Sequence, residues 1–265
     1  MATYRGCGGP SRFSSWLQSM PTSCQPLAWC HSTDAYAFRG IIEDGAFSPN
    51  DCPVFEEPLS YCFYGRPAYR CSDTLSMLTN ARAPVVILFD PILITCRKRI
   101  FPFDTGAFHK DRYARWMHKS MGLHDFELTN LTDAPQRYVS SFFGSNYNYL
   151  TLNPNTPPTD SYAGHFEVDV MVSMLRDQDA CRADDRRLAL EMQVQEPIPF
   201  QASFVKGLIL PQSIRHASYV ENFISGAGAG IDIRTYDAAP LKLARDYQVL
   251  LEQYARDLQQ EWGII

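Results

Sequence analysis

Apolar and polar residues alternate strictly in the last third of the chain, between residues 187 and 195. The apolar side holds Leu188, Leu190, Met192 and Val194, and the other side holds Ala189, Glu191, Gln193 and Gln195. A strict period of two is typical of a strand with one face on the core. The segment therefore requires a sheet. It also places Glu191 on the polar face, where the carboxylate either projects into a cleft or reaches solvent.

A second strand is predicted at residues 59–64, where strand-forming residues lead into a Gly-Arg-Pro sequence. Gly65 tolerates positive φ and Pro67 lacks a backbone N–H, so both residues end the strand. Arg66 is thereby held at a strand end. Its planar guanidinium suits a phosphate or a carboxylate, although an ordinary surface arginine after a core strand would give the same pattern.

The remaining periodicities predict helices and strands in no regular alternation. Residues 85–89 form a continuous apolar run rich in β-branched residues, as in a buried strand. Further strands are predicted at residues 27–31, 204–210 and 231–236. Amphipathic helices are predicted at residues 34–44, 167–177, 218–224 and 240–262. Residues 144–164 show no periodicity and are predicted to be a long loop. This order of elements indicates an α+β fold.

Length and composition predict a single domain over residues 1–265, with residues 1–25 as an N-terminal extension and residues 240–262 as a C-terminal helix. Of the 265 residues, 45% are hydrophobic, enough to build a core. The eight cysteines show no CxxC spacing and no zinc pattern. The first residues lack a secretory signal, and no apolar run is long enough to span a membrane. We therefore expect a cytoplasmic protein with reduced thiols and no metal.

The net charge of −5 excludes a uniformly basic nucleic-acid binder, so any such contact requires a local patch. Residues 97–119 supply one, with seven Lys and Arg residues against two Asp and with aromatic residues between them. The candidate nucleic-acid contacts are Arg97, Lys98, Arg99, Lys110, Arg112 and Arg115. The segment suits phosphate contacts and base stacking. A solvated helix face with buried aromatic residues explains it equally well.

Three pieces of the chain, in this order, resemble the ADP-ribosyltransferase superfamily. They are His31-Ser32-Thr33 leading into a helix, Tyr61-Cys62-Phe63-Tyr64-Gly65-Arg66-Pro67, and Ala189-Leu190-Glu191-Met192. In that superfamily a polar residue on the first strand, an aromatic residue or arginine on the second, and a glutamate on a later strand surround NAD. More narrowly, the chain is similar to the DarT-type nucleic-acid ADP-ribosyltransferases. Their Phe-Thr-Asp-Gly-type turn is approximated by residues 103–107, with Asp and Thr in the opposite order.

The resemblance covers about residues 27–236 and implies a split β-sheet core with peripheral helices. It also implies a role for each candidate residue. Glu191 would stabilise the ribosyl cation, and Arg66 would bind the NAD phosphates or orient the acceptor. The NAD-binding set would be His31, Thr33, Phe63, Tyr64, Arg66 and Tyr69.

Within this set, His31 and the helix start after it would hold the adenosine ribose and the diphosphate. His31 as a buried structural histidine is an equal alternative. Phe63 or Tyr64 would stack on the nicotinamide, and the other ring of the pair would be core, because neighbours on a strand face opposite ways. Asp104 could assist proton removal from the acceptor.

The implied function is NAD-dependent transfer of ADP-ribose to a DNA or RNA base, in a toxin or phage-defence setting. NAD would be the co-substrate, and a separate antitoxin or hydrolase is a possible partner. Arginine-modifying relatives usually carry Glu or Gln two residues before the catalytic Glu, a position held here by Ala189. The alternatives are a protein-modifying ADP-ribosyltransferase, an NAD glycohydrolase, and a module that binds NAD or a partner without turnover.

Overall fold

The computed structural model describes residue 4 and residues 8–68, 79–177, 186–239 and 242–265. Its strands are β1 (Trp29–Asp34), β2 (Ala46–Phe47), β3 (Asn50–Cys52), β4 (Glu57–Tyr64), β5 (Pro84–Phe89), β6 (Arg97–Phe101), β7 (Glu191–Val194), β8 (Ile198–Pro199), β9 (Val205–Pro211) and β10 (Asp232–Tyr236). Eight of them form one sheet in the order β10-β9-β5-β1-β4-β7-β6, with β3 also paired to β4. Strands β2 and β8 pair separately. Within these ranges β9 and β10 run parallel, and the other paired strands are antiparallel.

Helices connect the strands and cover both faces of the sheet. They are α1 (Arg12–Gln18), α2 (Ala35–Asp44), α3 (Thr105–His109), α4 (Ala134–Phe142), α5 (Asn146–Leu150), α6 (Phe166–Arg176), α7 (Gln212–Arg215), α8 (Ser218–Ser225) and α9 (Gln248–Glu261). The mixture of helices with a mostly antiparallel sheet confirms the predicted α+β class. Within the described ranges, no helix combines the length and the apolar character needed to cross a membrane.

Local chemistry explains the best-predicted element, helix α2. The Asp34 side chain accepts a hydrogen bond from the N–H of Ala37, as an N-cap should. The helix ends at Gly45, whose φ of 64° lies in the left-handed region that favours glycine. These bounds confirm the helix predicted over residues 34–44. Strand β1, however, runs to Asp34 rather than ending at His31, so the predicted placement of His31 at a strand end was wrong.

Two other predictions need correction. Residues 144–164 are not a continuous loop, because they contain α5, which Ser145 caps by accepting the N–H of Asn148. The alternating segment is a strand only from Glu191 to Val194, since residues 186–188 form a 3-10 turn. Both faces of that strand are buried, so it does not have the solvent-facing side that a simple alternation indicates.

The core has two parts, one on each face of the sheet. The larger part packs helices α1, α4 and α6 against one face and includes Trp29 and Tyr64. The smaller part places α9 on the other face, with Leu251 and Leu258 among its buried residues. The C-terminal helix therefore packs on the body of the protein, as its amphipathic pattern indicates. It begins at Gln248, later than the predicted start at residue 240, because residues 244–247 form a 3-10 turn.

The sheet splits between β1 and β4. These strands pair at two positions, Trp29 with Tyr64 and Cys30 with Phe63. Beyond Cys30, β1 stays paired to β5 on its other side as far as Asp34. Strand β4 likewise stays paired to β7. We call the paired end of β1 and β4 the closed end, and the diverging end, from His31 onward, the open end.

Candidate active site

Glu191 is the first residue of β7, a strand that lies between β4 and the edge strand β6. Its neighbours across the two adjacent strands are Phe63 on β4 and Phe101 on β6. The side chain is 1% exposed, so it neither reaches solvent nor projects into an open cleft. A carboxyl group in such a position is costly unless its oxygens are hydrogen-bonded.

Three hydrogen bonds satisfy the Glu191 carboxyl. The backbone N–H of Thr105 donates to Oε2 at 3.0 Å, and the Thr105 hydroxyl donates to Oε1 at 2.7 Å. The Gln193 side-chain amide also donates to Oε1, at 2.9 Å. Thr105 is the first residue of α3 and belongs to the turn at residues 103–107. The structure therefore brings together two sequence pieces, the turn and the late strand, that lie more than eighty residues apart.

The neighbourhood favours the protonated form of Glu191. Burial, and after it the negative charge of Asp104, raises the pKa of Glu191 to about 8, and the hydrogen bonds from Thr105 and Gln193 oppose this shift. Asp104 is itself buried and paired with Arg186, whose Nη1 lies 3.1 Å from Oδ2. Because Asp104 also caps α3 by accepting the N–H of Ala107, its carboxylate is committed to holding the turn.

A second polar chain supports Gln193 from the opposite side. The Arg99 guanidinium donates to Oε1 of Gln193 at 3.1 Å and to Glu57 at 2.6 Å. Lys98 also forms an ion pair with Glu57. Arg99 is buried, so the prediction that its side chain lies on a nucleic-acid surface was wrong. Arg97 donates to two backbone carbonyl oxygens, those of Ile94 and Thr129.

His31 lies at the open end, where β1 leaves β4. Its Nδ1 is 2.8 Å from the carbonyl oxygen of Tyr61, an acceptor, so Nδ1 carries the proton. The ring centroid is 4.4 Å from that of Phe47. Burial lowers the pKa of His31 to about 4, so the imidazole is neutral at neutral pH. Thr33 follows two residues later on the same face of β1.

The helix start after β1 is a poor phosphate site. The carboxylate of Asp34 caps α2, and the N–H of Ala35 donates to the carbonyl oxygen of Ala83. An anion there would meet a negative charge and a backbone donor already in use. The predicted role of this helix start in holding the diphosphate therefore lacks support from the geometry.

Tyr61 lies on β4 beside His31, and no role for it was predicted from the sequence. Its carbonyl oxygen faces His31, and its phenol lies 2.7 Å from Sγ of Cys52. Burial, the hydrogen bond with Cys52 and the charge of Glu191 all raise the pKa of the phenol. The sequence could have indicated that Tyr61 faces the same way as Phe63, because residues two apart on a strand share a face.

Of the two candidate stacking rings, Tyr64 belongs to the core. Its ring packs on Trp29 and Tyr149, and its hydroxyl accepts the N–H of Leu27 at 2.8 Å. Phe63 lies on the other face of the sheet, which is the face of Glu191, the residue paired with it on β7. Of the two rings, Phe63 is therefore the one next to the candidate carboxyl.

Arg66 follows the closed end of β4 and is buried beside α9. Its side chain is 2% exposed, and Nη2 lies 3.9 Å from a carboxylate oxygen of Glu252. Gly65 positions it with a φ of 69°, and a Cβ there would come within 2.7 Å of Leu27. Arg66 was predicted to bind a phosphate of NAD. In the structure it instead contacts a carboxylate of the protein itself, that of Glu252. Tyr69 lies outside the described residues.

The remaining basic candidates lie beyond α3. Lys110, Arg112 and Arg115 are on the surface, and Arg115 pairs with Asp177 at 2.8 Å. Lys110, the first of them, comes five residues after Thr105, whose backbone and hydroxyl donate hydrogen bonds to Glu191. A nucleic-acid contact at these three residues stays a prediction.

Hydroxyl groups flank the open end. The side-chain oxygens of Ser32 on β1 and Ser60 on β4 are buried and lack a hydrogen-bond partner among the described residues. In those same ranges no group of three or more His, Cys, Asp and Glu residues could hold a metal ion. Comparison with known proteins gave no match to a protein family, a curated protein or a solved structure.

Proposed function

We propose that the protein is an NAD-dependent ADP-ribosyltransferase in which Glu191 is the catalytic carboxylate. The observation that carries the proposal is the enclosure of Glu191 in a split sheet. Thr105 and Gln193 hold its carboxyl, and at the open end His31 donates to the backbone carbonyl oxygen of Tyr61. A sheet that splits beside a first-strand histidine, with a glutamate on a later strand, is the arrangement that the sequence resemblance implies.

The reaction breaks the bond between nicotinamide and C1′ of the ribose. Nicotinamide leaves as a neutral molecule with the bonding electron pair, and C1′ becomes cationic. A nucleophile on the acceptor then bonds to C1′ and loses its proton. An ionised Glu191 stabilises the cation and accepts a hydrogen bond from the ribose hydroxyl. The positive nicotinamide ring of bound NAD favours this ionised form, against the raised pKa of the enclosed group.

Substrate access requires a movement of the turn at residues 103–107. Glu191 is 1% exposed, and its two bonds from Thr105 cover both oxygens. NAD would exchange these donors for a ribose hydroxyl as the turn withdraws. At the open end, the neutral His31 suits the uncharged ribose better than the diphosphate.

A nucleic acid is the proposed acceptor. Lys110, Arg112 and Arg115 lie on the surface just after α3, and α3 begins with the residue that holds Glu191. Contacts between these residues and phosphate groups would bring the nucleic-acid strand close to the turn at residues 103–107. Within residues 97–119, Arg99 is excluded from this role, because it is buried with Glu57.

The decisive experiment follows label from NAD into separate pools of DNA, RNA and protein. We expect label on nucleic acid with the wild type, and a loss of about 10²–10³ in rate for Glu191→Gln. Glu196→Gln, an exposed carboxylate five residues along the chain, is the matched control and should keep full activity. Full activity in Glu191→Gln would contradict the assignment. Label on protein or free in solution would keep the transfer chemistry and change the acceptor.

A second candidate, a module that binds NAD without turnover, is favoured by one observation. The Glu191 carboxyl is fully enclosed and hydrogen-bonded, as a structural group would be. Under this alternative NAD raises the melting temperature, as any ligand of the folded state must, and no nicotinamide is released. Nicotinamide release that depends on Glu191 would exclude it.

A further inference from the structure

The side-chain amide of Gln193 can be placed in two ways that have nearly the same shape. Exchanging Oε1 with Nε2 keeps the packing of an amide and swaps its acceptor with its donors. In the structure Arg99 donates to Oε1 at 3.1 Å, while Nε2 donates to Glu191 at 2.9 Å and to the hydroxyl of Thr105 at 3.2 Å. Gln193 has no exposed surface, so water cannot compensate for a reversed amide.

Arg99 selects between the two placements, because a guanidinium only donates hydrogen bonds. With the amide reversed, Nε2 would face the guanidinium, donor to donor, and Oε1 would face a carboxylate oxygen of Glu191. Neither contact would be a hydrogen bond, and buried polar groups are costly without one. The guanidinium itself is fixed, since it donates to Glu57 at 2.6 Å and lies 4.9 Å from the ring centre of Phe55.

The groups around the Glu191 carboxyl fit its ionised form better than the neutral acid. Thr105 donates its N–H and its hydroxyl, and Gln193 donates its amide N–H. A carboxylate only accepts hydrogen bonds, whereas the acid has a proton that needs an acceptor. A reversed Gln193 amide would supply that acceptor and would favour the acid. The placement of the amide therefore bears on the charge of Glu191.

We propose that Arg99 is a positioning residue, which acts through Gln193 to keep an N–H donor turned toward Glu191. The charge of Arg99 is balanced by Glu57, so its effect on Glu191 passes mainly through the amide. That Glu191 is catalytic rests on the proposed function, whereas the placement of the amide does not.

Several other groups also act on the charge of Glu191. Burial and the negative charge of Asp104 raise the pKa of Glu191, and the hydrogen bonds from Thr105 and Gln193 lower it. The charged and titratable groups near the carboxyl are Asp104 with its partner Arg186, Tyr61, and Arg99 with its partner Glu57. A test must therefore change the amide and leave these other groups in place.

Arg99→Met keeps an unbranched side chain and removes the guanidinium, so the amide of Gln193 is free to reverse. We expect the pKa of Glu191 to rise by about one, the effect of losing one hydrogen bond to a charged group. Carbon-13 NMR of the full chain, labelled at the glutamate Cδ atoms, follows the titration. The signal that is missing in Glu191→Gln identifies the group.

Lys98→Met is the matched control. Lys98 pairs with the same Glu57 carboxylate, but it donates to Gln195 rather than to Gln193. Its replacement removes one positive charge next to Arg99 and should leave the pKa of Glu191 unchanged.

A double-mutant comparison separates the amide from the charge of Arg99. In a Gln193→Met background no amide remains to be reversed, so Arg99→Met should no longer change the pKa of Glu191. A rise that persists in this background would overturn the proposal. So would an unchanged pKa in Arg99→Met alone, or an equal rise in Lys98→Met.

Two further measurements keep the test decisive. If Arg99→Met does not fold, the wild type tests the placement, because its Gln193 amide protons should show stronger nuclear Overhauser effects to Thr105 than to Arg99. The reverse would overturn the proposal. If the protein transfers ADP-ribose, the acidic limb of its pH–rate profile should move with the pKa of Glu191, and Arg99→Met should regain rate at high pH. An absence of transfer with the expected pKa differences would contradict the proposed function alone.

Discussion

The closed and open ends of the β1–β4 pair differ in how their polar groups are satisfied. At the closed end the N–H of Gly65 donates to the carbonyl oxygen of Ala28 at 2.7 Å. The Gln259 amide of α9 then bridges the two remaining groups, accepting from the N–H of Ala28 and donating to the oxygen of Gly65. At the open end the hydroxyls of Ser32 and Ser60 have no such partner within the described residues. One end is therefore fully hydrogen-bonded, and the other retains buried hydroxyl groups without a partner in the described part of the chain.

The largest effect on stability is expected at the closed end. Gln259→Leu leaves the N–H of Ala28 and the carbonyl oxygen of Gly65 buried without partners, which should cost about 3 kcal/mol. The free energy of unfolding from urea titrations measures this loss. Gln260→Leu, an exposed neighbour on the same helix, should change stability by no more than about 0.5 kcal/mol. Equal losses in the two variants would show that the bridge contributes little.

A pH dependence should separate Glu191 from His31. The folded pKa of Glu191 is raised from 4.5 to about 8, so its contribution to stability is lost as the pH rises. The folded pKa of His31 is lowered from 6.5 to about 4, so its contribution is gained as the pH rises. The two contributions oppose each other between about pH 4.5 and 6.5. Above that range Glu191 acts alone, and stability should fall by about 2 kcal/mol by pH 8.

Urea titrations across pH 5 to 8 test this dependence. The fall above about pH 6.5 should vanish in Glu191→Gln and persist in Glu196→Gln. A fall of equal size in Glu191→Gln would show that Glu191 is already ionised in the folded protein.

A smaller loss is expected for Tyr64→Phe. The change removes the hydroxyl that accepts the N–H of Leu27 and keeps the ring against Trp29. It should cost about 1.5 kcal/mol and leave NAD binding unaltered. Thermal unfolding and NAD titrations measure the two quantities. Weaker NAD binding in this variant would mean that the two ends are coupled.

The smallest effect on stability is expected at the open end. His31→Asn keeps an amide donor in the place of Nδ1, which donates to the carbonyl oxygen of Tyr61, and it removes Nε2. The free energy of unfolding should therefore change by less than about 1 kcal/mol. If His31 binds the ribose, NAD affinity should fall about tenfold or more, as isothermal titration calorimetry can measure. Thr132→Asn, an exposed substitution elsewhere, serves as the control. Unchanged affinity in His31→Asn would make His31 structural only.

The sequence predicted those elements whose signals are local. Helix α2 carries its own start and stop in Asp34 and Gly45, and β5 is apolar along its whole length. Strand β4 ends where Gly65 was expected to end it. Capping side chains, glycine conformation and periodicity act within a few residues, so no tertiary information was needed for them.

The site was less predictable, because long-range contacts decide it. Alternation placed Glu191 on the polar face of a strand, but the turn at Thr105 makes that face interior. Arg66 was expected to bind a ligand, but α9 packs beside it and places the carboxylate of Glu252 next to its guanidinium. Nothing near residue 66 in the sequence indicates an acidic residue 186 positions later. The role of Gln259 was likewise unpredictable, since a helical glutamine shows no sign of its backbone partners.

The bridge made by Gln259 has a consequence for synthesis of the protein. Ala28 lies near the beginning of the chain, yet the amide that completes its pairing with Gly65 comes 231 residues later. A ribosome has therefore translated nearly the whole domain before the first strand can be finished. Contacts this distant in sequence form late. The nascent chain would lack a fully formed closed end, and any activity that depends on it would begin only after Gln259 has left the ribosome.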